Sequence, residues 1–115
     1  MAAKSLFVYG TLTSEELVGA LTGRRFPSCP ATLEGYARVF PEALGGFPNI
    51  VPRAGEVVTG LLLENIDAAS LGALDAYEDT GRLYCRHPVE VVARGVRVWC
   101  EVYLARHIPA LTGTP

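Results

Sequence analysis

Two short stretches of the chain carry residue types that do chemistry. In "ASLGALDAYEDTGRLYCR", Ala69 to Arg86, the residues Leu71, Leu74 and Glu78 recur at i, i+3 and i+7, the spacing of one helix face. Glu78 therefore projects from the end of an apolar stripe that should pack on a sheet, and Asp75 stands three residues before it. A charged, unpaired carboxylate in that position costs on the order of several kcal/mol. Its proton affinity rises instead, or it finds a donor, and a carboxyl of raised affinity suits general acid–base work near neutral pH. Two bland readings stand beside this one: Glu78 points to water from a fraying helix end, or it pairs with Arg82 or Arg86. The second stretch is "LFVYGTL", Leu6 to Leu12. A glycine that ends a strand just before a capped helix lets the amides after it face a common space, a nest for an anion or oxyanion. The alternative is an ordinary turn in which Thr11 or Thr13 only caps.

Other constellations are weaker. Cys85 and His87 alternate along a strand and share a side, but no activating group lies near them in sequence, so they read as a structural thiol and a surface histidine. The chain contains no GxSxG, HExxH, GK[ST] phosphate loop or GxGxxG. Its three cysteines, Cys29, Cys85 and Cys100, form no CxxC pair, and two histidines, His87 and His107, are too few for a zinc centre without them. No metal site is expected.

The elements that must position these groups follow from pattern. Ser5 to Tyr9 is a short apolar run suited to a buried strand. Thr13 and Glu16 have the spacing of a capping box, Leu17, Val18 and Leu21 supply one apolar face, and Gly23 stops this first helix. Thr32 to Phe40 reads as a strand with a bulge at Gly35, Pro41 to Pro52 as a long irregular loop, and Val57 to Leu63 as a strand. Asp67 caps a second helix carrying Leu71 and Leu74. The stretch "HPVEVVARGVRVWCEVYLA" reads as a hairpin turning at Arg94-Gly95, with Val96, Val98, Cys100, Val102 and Leu104 on one face and Arg97, Trp99, Glu101 and Tyr103 on the other.

Strands dominate, two helices interrupt them, and no βαβ rhythm repeats. The expected class is α+β, a small, mostly antiparallel sheet of barrel type flanked by two helices. The 115 residues form one domain, 1–115, with 107–115 as a tail. Half the residues are apolar, which excludes general disorder. Ten basic and twelve acidic residues give a net charge of −2 with no basic block, which argues against nucleic acid or an anionic membrane as partner. No signal peptide or membrane-length apolar run is seen, and unpaired thiols point to a cytoplasmic setting.

Taken in order, Tyr9-Gly10-Thr11-Leu12, "FPNIVP", "VVTGLLLEN" and "LDAYEDTGRLYCR" form a set. From Leu6 to Tyr103 this order resembles the gamma-glutamylcyclotransferase-like superfamily, in particular its AIG2-like branch. The two markers are a YG[ST]L loop, Tyr9 to Leu12, and an LDxxE stretch, Leu74 to Glu78. The resemblance implies a small mixed β-barrel flanked by helices, with a cavity at the YG[ST]L loop. It also implies an enzyme that cyclises gamma-glutamyl compounds, releasing 5-oxoproline and a free amine. The family's acid/base glutamate falls on Glu78, and its substrate loop on Tyr9, Gly10, Thr11 and Leu12. A further family tyrosine falls on Tyr84, with Arg86 two residues later; Tyr9, Tyr84 and Arg86 are all candidates to anchor a substrate carboxylate. No cofactor is implied, and the expected partner is a small gamma-glutamyl substrate. Two other readings remain on the same residues: a non-catalytic small-molecule binding or regulatory module, and a lyase or amidohydrolase using Glu78 on an unrelated substrate.

Overall fold

Three successive buried apolar residues, Leu6, Phe7 and Val8, need cover on both faces, and the fold supplies it. They belong to β1 (Lys4–Val8), which in the computed structural model pairs antiparallel with β3 (Asn49–Ile66) and parallel with β5 (Val96–Ala105). The structure describes residues 3–40, 48–78 and 84–105. With β2 (Ser28–Val39) and β4 (Tyr84–Ala93), the strands close in the order β1-β3-β2-β4-β5. All pairs except β1–β5 are antiparallel. Closure is loose: β1 meets β5 only at Leu6↔Glu101 and Phe7↔Val102, and β2 meets β4 only at Ala31↔Ala93 and Thr32↔Val92.

Alternation along the strands divides the apolar residues into two cores. Phe7, Leu33, Ile50, Val58, Leu62, Val91 and Val102 fill the barrel interior. Leu6, Val8, Leu63, Ile66, Tyr84 and Tyr103 face outward and are covered by Leu12, Val18, Leu71 and Leu74. The covering residues come from the 3-10 turn Thr11–Thr13 and from the helices α1 (Glu15–Thr22) and α2 (Ala68–Tyr77). Gly60 in β3 lies close against β1: a Cβ there would collide with the Val8 carbonyl oxygen and touch the Phe7 ring.

Several expectations are met with shifted bounds, and others are corrected. Gly23 ends α1 at φ +72, and Arg94 and Gly95, at φ +52 and +77, make the β4–β5 turn. The bulge at Gly35 is present, with φ +83 and a register jump from Glu34↔Val57 to Tyr36↔Pro52. Asp67 caps α2 by accepting from the Ser70 amide at 3.1 Å. Thr13, however, is not the N-cap of α1. The chain first spends Thr11–Thr13 on a 3-10 turn, so Ser14 becomes the cap and accepts from the Leu17 amide at 3.2 Å, while the Thr13 hydroxyl donates to the Gly10 carbonyl.

The proposed loop Pro41 to Pro52 is also shorter than expected. Asn49 to Pro52 already pair with β2, because Pro52 lies beside the Gly35 bulge, where a strand tolerates a proline; residues 41–47 lie outside the described residues. The strand expected at Val57 to Leu63 accordingly begins at Asn49 and runs on to Ile66. Tyr103 departs from its neighbours Arg97 and Trp99: it is buried at 3 % exposure, because α2 covers that end of the outer sheet face. The expected tail at 107–115 lies outside the described residues.

Candidate active site

The end of α2 and the loop after β1 are brought together by a hydrogen bond between side chains remote in sequence. The Tyr77 hydroxyl donates to Thr11 Oγ1 at 3.0 Å, which seats the last turn of the helix against the Tyr9-Gly10-Thr11-Leu12 loop. Glu78 follows at once as the C-cap residue, its amide donating to the Leu74 carbonyl at 3.0 Å. Leu71 and Leu74 are buried as their stripe requires, and Glu78 continues it at half-burial. Desolvation pushes the Glu78 carboxyl up to about 7.

Three tyrosines feel the charge of this acid. Burial is the main cause that raises each phenol, and the charge of Glu78 adds to it at Tyr9, Tyr84 and Tyr103. Tyr9 lies at the end of the barrel interior, where its hydroxyl donates to the Tyr103 carbonyl at 2.8 Å. Tyr84 is buried at the start of β4, with its hydroxyl 3.4 Å from the Pro48 carbonyl. Pro48 in turn closes on Gly10: a Cβ at Gly10 would stand 2.8 Å from the Pro48 ring, so only glycine admits this approach. The loop, the start of β3, the start of β4 and the end of α2 thus converge at one end of the barrel.

The loop residues divide the work. Leu12 turns inward at 3 % exposure, joins the outer core and pins the loop, so only its backbone is available to a ligand. Thr13 and Ser14 return their amides to the Gly10 and Thr11 carbonyls. The amides of Thr11 and Leu12 stand ahead of these, at the start of the turn, where no intrahelical acceptor exists.

Arg86 is placed differently from the other candidates. It does not meet Glu78; its guanidinium forks onto Asp75, with Nε to Oδ1 at 2.9 Å and Nη2 to Oδ2 at 3.2 Å, and donates to Glu101 through Nη1. Arg82 lies outside the described residues. Three participants were not singled out from sequence as site residues: Tyr77, Pro48 and Tyr103. For Tyr103 a signal existed, since a turn at Arg94-Gly95 sets it directly across from Arg86 in the β4–β5 register. Cys85 and His87 share a face as expected, with Sγ and Nε2 3.2 Å apart at an exposed position. Among the described residues no three His, Cys, Asp or Glu side chains gather as metal ligands, and no helix is long and apolar enough to cross a membrane.

With this geometry in hand, known proteins place the chain. Residues 6–114 match the family model described as gamma-glutamyl cyclotransferase, AIG2-like. An AIG2-like protein C of Arabidopsis thaliana is 38 % identical over 93 residues, covering 79 % of this chain and 51 % of the relative. A gamma-glutamylcyclotransferase and putative RNase of Methanocaldococcus jannaschii is 28 % identical over 100 residues, covering 87 % and 44 %. The chain therefore spans about half the length of these curated relatives. Among solved structures, one from Arabidopsis thaliana superposes with a TM-score of 0.81 at 28 % identity, covering 98 % of this chain and 69 % of that one. A gamma-glutamyl cyclotransferase structure superposes at 0.78 with 20 % identity, covering 91 % and 68 %, a likeness of fold alone. The family match runs along nearly the whole sequence and the fold agrees with it: the chain belongs to the gamma-glutamyl cyclotransferase, AIG2-like family.

Proposed function

We propose that this chain cyclises a gamma-glutamyl amine or related gamma-glutamyl compound to 5-oxoproline and a free amine, with Glu78 as the acid/base group. The observation that carries this reading is the Glu78 carboxyl, desolvated and pushed up to about 7 at the same end of the barrel as the Tyr9-Gly10-Thr11-Leu12 loop. A base of that affinity takes a proton from the substrate's α-ammonium group near neutral pH. The freed nitrogen attacks the γ-carbonyl carbon and closes a five-membered ring, an intramolecular step that needs only the right folding of the chain. Negative charge then develops on the carbonyl oxygen, and the Thr11 and Leu12 amides supply donors for it, a contribution of roughly 3 kcal/mol per donor where geometry is good. The bond from the γ-carbon to the leaving nitrogen breaks as protonated Glu78 returns its proton to that nitrogen; the ring nitrogen, which still carries two hydrogens, gives one to the freed Glu78 carboxylate, and the departing amine takes it to leave as its ammonium ion. Atoms and charge balance without a cofactor. The Tyr9 and Tyr84 hydroxyls receive the substrate's α-carboxylate in this reading, each by exchanging its bond to a main-chain carbonyl, that of Tyr103 or Pro48, while Arg86 is engaged with Asp75 and Glu101.

The test is incubation with a panel of gamma-glutamyl amines and mass spectrometry for 5-oxoproline. The reading expects 5-oxoproline and free amine from at least one member and no glutamate as direct product. Glutamate would instead indicate a hydrolase, and binding without turnover across the panel would indicate a non-catalytic module.

A further inference from the structure

Beneath the end of α2 lies a group of charges on the outer wall of the barrel. Arg86 holds Asp75 through two of its nitrogens and Glu101 through the third, and Lys4 Nζ stands 3.8 Å from the other Glu101 oxygen. Asp75 Oδ1 also accepts the Tyr103 hydroxyl at 2.6 Å. The main-chain carbonyl of that same Tyr103 accepts the Tyr9 hydroxyl at 2.8 Å. One residue of β5 is therefore tied by its side chain to α2, one turn before Glu78, and by its backbone to the tyrosine that begins the loop.

We propose that Asp75 and Arg86 are positioning residues of the Glu78 site: with Tyr103 they dock the last turn of α2 onto β4 and β5 and hold Glu78 and Tyr9 in one fixed relation. The inference rests on the reading of Glu78 as the acid/base group. Asp75 and Glu78 are three residues apart and share a helix face, so fixing the first against the barrel wall turns the second toward the same wall. All three guanidinium nitrogens of Arg86 are engaged by carboxylates of its own chain, so a substrate carboxylate would first have to displace Asp75 or Glu101. Arg86 therefore acts through other groups. The Arg86 and Asp75 side chains are only 25 % and 23 % exposed, a setting where apolar residues of similar volume stabilise a fold as well as an ion pair does. What the fork adds beyond energy is direction, since two parallel bonds fix the angle of the carboxylate and of the helix that bears it. Docked this way, α2 keeps Glu78 half out of water; undocked, the carboxyl would hydrate.

The experiment reads Glu78 directly, without substrate, by NMR titration of its carboxyl carbon in the wild type, Asp75→Asn and Tyr103→Phe. Arg24→Ala, which removes a bridge to Asp67 at the other end of α2, serves as a control for general destabilisation. Asp75→Asn is expected to lower the Glu78 midpoint by about one pH unit or more. In kinetics it should lower kcat by ~10-fold or more, with a smaller change in KM. Tyr103→Phe, which deletes one hydroxyl and keeps the packing, should shift the midpoint in the same direction by less. Arg24→Ala should lower Tm and leave the midpoint in place. Should Asp75→Asn fail to fold, Tyr103→Phe decides alone. A midpoint that stays near the wild-type value in every folded variant of the pair overturns the proposal. A midpoint that moves in a protein making no 5-oxoproline leaves the positioning role standing and removes the cyclotransferase reading.

Discussion

Glu78 should make this protein less stable at neutral pH than it would be without a carboxylate there, and the size of that penalty follows from its burial. The folded-state value of about 7 lies above the ordinary 4.5 for a free glutamate. Below 4.5 the group is protonated in both folded and unfolded chains and contributes nothing. Between 4.5 and 7 the folded state holds the proton more tightly than the unfolded state, so stability falls as pH rises; above 7 the full penalty applies. A difference of that size corresponds to an upper bound of roughly 3 kcal/mol, and partial exposure of the side chain reduces it to about 1–2 kcal/mol. Glu78→Gln keeps the shape and removes the titration. The variant should match the wild type near pH 4, apart from a constant offset, and exceed it by about 1–2 kcal/mol near pH 8. Urea unfolding of both proteins across that range measures this, with an expected midpoint gain of ~0.5–1 M at the alkaline end. Because other titrating groups are common to both proteins, the difference isolates Glu78. A difference that is flat with pH, or that favours the wild type as pH rises, would refute the desolvated carboxyl and the mechanism built on it.

The same substitution should lower turnover by ~100-fold or more while substrate still binds, giving a variant both more stable and less active. In the wild type, kcat/KM should rise with pH through a limb near 7, set by deprotonation of Glu78 in the free enzyme, and Glu78→Gln should lose that limb. Gly10→Ala puts a methyl group against the Pro48 ring and should cut turnover through a displaced loop, with a smaller loss of stability. Gly60→Ala, by contrast, drives a methyl group into the Val8 carbonyl inside the barrel; it should destabilise by roughly 1–3 kcal/mol in urea unfolding, comparable to other overpacked cores. A gamma-glutamyl amine acetylated on its α-nitrogen should be inert while still competing with the parent, since the nucleophile is blocked. Its cleavage would rule out intramolecular attack.

Much of this protein was determined by local sequence. The buried run of β1, the stop at Gly23, the bulge at Gly35, the Asp67 cap and the Arg94-Gly95 turn each depend on backbone preferences or hydrogen bonds within a few residues, so the sequence alone carries them. The Leu71, Leu74, Glu78 stripe is likewise a property of helical period, which puts a carboxyl at the edge of an apolar face whatever packs against it. Tertiary structure decided the rest. Asn49 to Pro52 read as loop because prolines lack the amide a strand uses, and only the bulge opposite, at Gly35, makes room for Pro52. Tyr103 read as an outer-face residue among charged neighbours because strand alternation cannot tell which part of an outer face a helix will cover. Arg86 reads from sequence as a partner for Glu78 or an anchor for a substrate carboxylate, yet hairpin register and the docking of α2 bring Glu101 and Asp75 to it instead. Period and caps act over a turn or two of chain; the affinity of Glu78 for its proton depends on how much water α2, β4, β5 and the loop leave around it, and that quantity exists only once the elements are packed.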